Sequence, residues 1–136
     1  EYYQEILKLI KSFDRFNVLG HLDYIKRYAP FPIGKTDHLL CISLIDEILE
    51  TLILKGKGLE VNTSGYRHAS EAPMPHPDII KRYRELGGKI ITLGSDAHAP
   101  EHVAFRFETA LQEIKRSGFD SLTSFASMQP KFVAIP

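Results

Sequence analysis

The 136-residue sequence has a single cysteine, Cys41, which excludes an internal disulfide and suits a reducing compartment. It has no excess of either charge: 17 lysines and arginines balance 17 aspartates and glutamates. No overall field therefore draws nucleic acid or an acidic membrane, and any anion site must be local. No apolar run approaches the roughly 20 residues of a membrane span, and the amino terminus lacks the pattern of a signal peptide. Together these absences point to a cytoplasmic protein without membrane or nucleic-acid partners. No glycine-rich phosphate loop follows an apolar run, so the signature of a Rossmann or P-loop nucleotide site is missing. No serine or cysteine stands beside an evident base, which disfavours a covalent intermediate. The chain does contain core material, with 43% hydrophobic residues. It opens at Glu1, without a methionine and within what reads as a helix, so a piece of a longer chain is expected.

Periodicity gives the elements. Tyr3, Ile6, Leu7 and Ile10 recur at helical spacing over 1–13, and Phe16 to Gly20 reads as a short strand. Asp23 is placed to cap a short helix over 24–28, and residues 29–37 form a proline-broken loop. Thr36 or Asp37 can cap the next helix, which runs to about Lys55 and ends at Gly56 and Gly58. Its broad apolar face starts at Leu39 and Leu40 and takes in Cys41 as a small core residue. Leu59 to Thr63 alternates as a strand. A proline loop with His76 on solvent leads into a helix from Ile79 to Leu86, closed by Gly87-Gly88. A strand at Ile90–Leu93 precedes a helix that begins at Pro100-Glu101 and runs to Gly118, with His102 in its first turn as a neutral surface residue. Strand-like pieces at 121–126 and 131–135 suggest a terminal hairpin. The alternation of helices with about four strands is that of a parallel α/β fold, too short to close a barrel of roughly 200 residues or more.

Three stretches carry chemistry. After the strand ending at Gly94-Ser95, Asp96 and His98 stand two apart and share a side if strand geometry persists through Ala97. A carboxylate and an imidazole converging there suit an open metal site; alternatively Asp96 caps the helix and His98 is a loop residue. The same pattern recurs at Gly20-His21-Leu22-Asp23, where His21 is either a ligand or a core histidine. In Leu59-Glu60-Val61-Asn62-Thr63, Glu60 and Asn62 share one face. That face either lines a polar barrel mouth or lies in water at a sheet edge. Arg67 follows a serine-glycine turn, where a guanidinium can grip a phosphate or carboxylate, and Arg27 is a second candidate anion clamp. His68 is expected on the surface.

The blocks Val18-Leu19-Gly20-His21-Leu22-Asp23, Glu60-Val61-Asn62-Thr63-Ser64-Gly65-Tyr66-Arg67 and Gly94-Ser95-Asp96-Ala97-His98 resemble, in this order, the later motifs of the polymerase-and-histidinol-phosphatase (PHP) superfamily. The stretch LGGKIITLGSDAHAPEHV and the ending PKFVAIP are similar to the last third of its histidinol-phosphate phosphatases. The resemblance implies the carboxyl-terminal part of a distorted seven-stranded, TIM-like (β/α) barrel, with residues 1–136 as the carboxyl-terminal half of that domain. It implies two or three divalent ions (zinc, manganese or iron), with His21, Asp96 and His98 as ligands and catalytic residues. Arg67 and Arg27 would hold the substrate phosphate. The implied reaction is metal-dependent hydrolysis of a small phosphorylated substrate, histidinol phosphate to histidinol and phosphate in histidine biosynthesis. The family's amino-terminal histidine-x-histidine strand, its next histidine and its bridging glutamate have no counterpart here, so the amino-terminal half of the barrel is an implied partner. A nuclease or protein-tyrosine phosphatase on the same metals, or a non-catalytic barrel fragment, are the alternatives.

Overall fold

A computed structural model describes residues 1–28, 37–68 and 71–136, without the side chains of Arg27 and Asp37. The proline-broken loop and the Thr36 cap fall largely outside these residues. Helix α1 (Tyr2–Ser12) presents Tyr3, Leu7 and Ile10 to the core at the expected spacing. Strand β1 (Val18–Leu19) follows, then a 3-10 turn at Tyr24–Tyr28. A second 3-10 turn, Asp37–Cys41, leads into α2 (Ile42–Leu54). Strand β2 (Gly58–Asn62), α3 (Pro77–Glu85) and β3 (Ile91–Gly94) complete a strand–helix–strand–helix–strand unit. A 3-10 turn at Pro100–His102, helix α4 (Phe107–Arg116) and strands β4 (Ser121–Ala126) and β5 (Gln129–Ala134) end the chain.

The strands order β1-β2-β3, all parallel, with Leu19 beside Leu59 and Asn62 beside Gly94. Helical crossovers force this arrangement, since parallel neighbours cannot be joined by a tight turn. The parallel strands number three, not about four. The fourth expected strand, β4, instead pairs antiparallel with β5 through the left-handed pair Ser127-Met128, giving the anticipated hairpin. The sheets are open among the described residues, and closure into a barrel is not part of what they display.

The core lies between the helices and the outer face of the parallel sheet. Ile45, Ile48, Leu49 and Leu52 of α2 and Ile79, Ile80 and Tyr83 of α3 pack with Leu59, Val61 and Ile91, all essentially inaccessible. The Tyr83 hydroxyl donates toward the carbonyls of Ile90 (3.1 Å) and Lys57 (3.2 Å), tying α3 to the starts of β2 and β3. With Leu59 and Val61 facing the helices, Glu60 is turned to the opposite face of the central strand, as period-two alternation requires.

Two helix starts differ from the sequence reading. The start of the 42–54 helix is a 3-10 turn, which takes Leu39 and Leu40 off the α-helical stripe and leaves Leu40 exposed. Cys41 occupies the cap position without a side-chain cap and is half-buried against the core. The helix expected from Pro100 is broken as well. Left-handed Ala104 and Arg106 interrupt it, so α4 begins only at Phe107.

Candidate functional site

The carboxyl ends of the three parallel strands deliver the residues singled out in the sequence. At the end of β3 the strand stops at Gly94, and Asp96 adopts a left-handed conformation with φ of 48°. The alternation assumed through Ala97 is therefore lost. Asp96 and His98 meet all the same, with Oδ1 and Nε2 3.2 Å apart. The turn brings them together, not the strand, and such strain in a non-glycine residue is found at functional sites. At the end of β1 His21 is also left-handed, with φ of 55°. Its ring packs edge-on to Tyr24, and among the described residues its buried Nδ1 has no hydrogen-bond partner.

Arg67 closes the 3-10 turn Thr63–Arg67 that follows β2, a turn begun by the Asn62 side chain accepting from the Ser64 amide. Its guanidinium donates to the carbonyls of Ser95 (3.0 Å) and Asp96 (2.9 Å), so it grips the loop that carries the acid and the imidazole. Arg67, Asp96 and His98 line one open cleft of about 610 Å³, with Tyr24, His68 and His102. Among the described residues, His21 does not bring a ligand atom within 4.8 Å of both Asp96 and His98. The Arg27 side chain lies outside the described residues, so its role as a clamp remains an expectation.

Glu60 occupies the middle of this end of the sheet. A side chain at Gly20 would place its Cβ 2.8 Å from Glu60 Oε2, and one at Gly94 would place it 2.9 Å from Oε1. The two glycines that precede the His21 and Asp96 turns therefore leave room for one carboxylate between β1 and β3. Its Oε2 is buried and, among the described residues, has no hydrogen-bond partner. Because β2 is the central strand, this polar residue does not sit at a sheet edge. Asn62, 1% exposed, is engaged in the turn instead.

Three histidine readings and one aspartate reading require correction. His102 is half-buried on the cleft with its Nδ1 unpartnered, because the helix that would have carried it outward is broken. His68 is half-buried on the same cleft. His76 is partly buried, its side chain 23% exposed. It is the N-cap of α3, its Nδ1 accepts from the Asp78 amide at 3.3 Å, and its ring stacks on His38 with centroids 4.7 Å apart. Burial pulls the His76 imidazole below its ordinary value, against the opposing pull of Asp78. Asp23 does not cap the 24–28 turn with its side chain. Buried to 1% exposure, it accepts from the His76 amide at 3.0 Å and pairs with Lys26 at 3.2 Å. His38, unremarked in the sequence because no partner lies near it in the chain, forms with His76 and Asp78 a group whose candidate ligand atoms all lie within 4.8 Å of one another.

No family model matches the chain. It is 33% identical over 129 residues to the histidinol-phosphatase of Lactococcus lactis, covering 95% of this chain and 48% of that protein. It is 39% identical over 111 residues to a probable histidinol-phosphatase of Thermotoga maritima, covering 79% of this chain and 44% of the relative. Among solved structures, the Lactococcus lactis histidinol phosphate phosphatase in complex with zinc, L-histidinol and phosphate superposes with a TM-score of 0.79 at 32% identity. The match covers 96% of this chain and 49% of that one. The chain thus spans about half the length of the curated relatives it matches. No helix among the described residues is long and apolar enough to cross a membrane.

Proposed function

We propose that this chain, a relative of the histidinol-phosphate phosphatases, is the carboxyl-terminal half of a PHP-type barrel that hydrolyses histidinol phosphate to histidinol and phosphate. The observation that carries the reading is the Asp96–His98 pair held by Arg67 on one cleft, on a chain a third identical to such enzymes. The donor set fits divalent cations. Asp96 Oδ1 and His98 Nε2 lie at the separation of two ligands on one ion, and the buried His21 Nδ1 has no hydrogen-bond partner among the described residues. Asp96, His98 and His21 would hold the ions, with further ligands from the amino-terminal half. Two or three such ions, when bound, supply a water acidified toward neutral pH and offset charge on the phosphoryl oxygens.

The remaining work falls to the chain's own residues. Arg67 spends two of its five N–H donors on the Ser95 and Asp96 carbonyls and keeps the others for a phosphate oxygen. Arg27 is the second proposed phosphate clamp. Such positioning and charge complementarity are what phosphoryl transfer demands of a protein. Water supplies the new oxygen on phosphorus, the bond from phosphorus to the ester oxygen breaks, and the released alcohol takes up a proton. Zinc, manganese and iron all suit a histidine and carboxylate set.

A chimera tests the reading: residues 1–136 replace the matching half of the Lactococcus lactis enzyme, and release of phosphate from histidinol phosphate is followed. Hydrolysis that falls at least about 100-fold in Asp96→Asn supports the assignment. A folded chimera without hydrolysis, or one indifferent to Asp96→Asn, overturns it. Phosphotyrosine and single-stranded DNA as parallel substrates separate the phosphatase from the other PHP activities.

A further inference from the structure

We propose that His38, His76 and Asp78 form a second metal site, for a borderline divalent ion of the zinc class, which pins the amino-terminal ends of α2 and α3 together. None of the three residues lines the Asp96–His98 cleft, and the inference does not depend on the proposed hydrolysis.

The strongest observation is His38. It is 1% exposed, and among the described residues neither ring nitrogen has a hydrogen-bond partner. A buried imidazole with both nitrogens unused is a costly arrangement and calls for a ligand. Its Nε2 does lie 3.1 Å from Asp78 Oδ2, but off the line that a ring N–H would take to donate. Two donor atoms side by side at that distance are what a shared cation produces. With bonds of about 2.0–2.1 Å, the edges of a tetrahedral site measure about 3.3 Å. The His38–Asp78 separation of 3.1 Å and the His76 Nδ1–Asp78 Oδ2 separation of 3.5 Å bracket that value. The two imidazole rings stack with centroids 4.7 Å apart and planes at 25°, so one ring must turn about its Cβ–Cγ bond for both in-plane lone pairs to reach the same ion.

The surroundings agree. The Asp78 carboxylate is 62% exposed, which gives an ion a path in and leaves a fourth position for water. Asp23 fixes the His76 backbone through its amide independently of the ring. Among the described residues the competing contact is the 3.3 Å bond from the Asp78 amide to His76 Nδ1, a long bond that a cation on the same lone pair would replace. Two imidazoles and one carboxylate select zinc or cobalt over calcium or magnesium, which take oxygen ligands. The positive end of α3 opposes a cation, so the affinity should fall below that of a four-ligand structural site.

The test uses the whole chain in an Asp96→Asn/His98→Ala background, which removes the cleft pair. Cobalt(II) is titrated by visible absorption and then displaced by zinc. The expected result is one cobalt with tetrahedral bands. Its dissociation constant should rise at least about tenfold on adding His76→Ser, which keeps a hydroxyl cap for α3, or Asp78→Asn. Far-UV circular dichroism verifies that each variant is folded. Absence of tetrahedral bands in the background protein, or cobalt binding unchanged by His76→Ser and Asp78→Asn, overturns the proposal.

Discussion

Replacing Arg67 by lysine isolates what the guanidinium does for the cleft. In the structure its two terminal nitrogens reach two successive carbonyls, Ser95 at 3.0 Å and Asp96 at 2.9 Å, as a planar fork. An ammonium keeps the charge but can satisfy one of these carbonyls in line, so the other loses its partner. A charge-assisted hydrogen bond contributes about 1.5–3 kcal/mol, and the half-buried position of Arg67 lowers this to about 1–2 kcal/mol. For a chain of this length such a loss shifts thermal unfolding by about 3–8 °C, measurable by circular dichroism. In the chimeric enzyme the same substitution should lower kcat/KM for histidinol phosphate. A rise in KM reports the lost phosphate contact, and a fall in kcat reports displacement of Asp96 and His98. A lysine variant that melts within about 1 °C of the parent would show that the fork does not hold the loop. Unchanged kcat/KM would remove Arg67 from substrate binding as well.

Two further outcomes follow from the core. Leu49→Ala empties a fully buried position of α2 and should destabilise the chain by about 2–5 kcal/mol in urea unfolding; a loss below about 1 kcal/mol would mean the helix face packs loosely. Tyr83 gives a pH signature. Burial pushes its phenol up to about 12 from 10.0, so its contribution is complete below pH 10 and is lost as the pH rises through 12. The magnitude is on the order of 2 kcal/mol. The stability advantage of the parent over Tyr83→Phe should therefore shrink between pH 9.5 and 12, and parallel pH profiles would refute the buried neutral phenol.

The sequence made the elements legible wherever a period repeats several times. The stripe of α1, the alternation of β2 and the terminal hairpin all have counterparts in the structure. Prediction failed where one left-handed residue outweighs the pattern around it. The run from Val103 to Ile114 has helical spacing throughout, yet positive φ at Ala104 and Arg106 breaks it and turns His102 toward the cleft. Backbone strain of this kind leaves no periodic trace, and neither alanine nor arginine advertises it.

The same limit separates the two histidine groups. Asp96 and His98 are two residues apart, so the pair is visible in the spacing, although a turn at the left-handed Asp96 joins them and strand alternation does not. His38 and His76 are thirty-eight positions apart and meet only because α2 and α3 begin on the same side of the sheet. Parallel strand–helix–strand units always place successive helix starts at the carboxyl end of the strands. The register of that end is thus the information a single sequence withholds, and it is also what assembles Glu60 with Gly20 and Gly94. In the pairing, Asn62 lies opposite Gly94 while Leu59 lies opposite Leu19, so the glycines flank the carboxylate one residue beyond β1 and at the last residue of β3. A shift of one residue in either pairing would turn Glu60 toward the helices and bury its charge among Ile48, Leu52 and Ile80, a cost that no partner there could offset. The polar residue in the central strand thus has a structural consequence: by excluding the slipped register it specifies the alignment that sets Gly20, after β1, and Gly94, at the end of β3, on either side of its carboxylate.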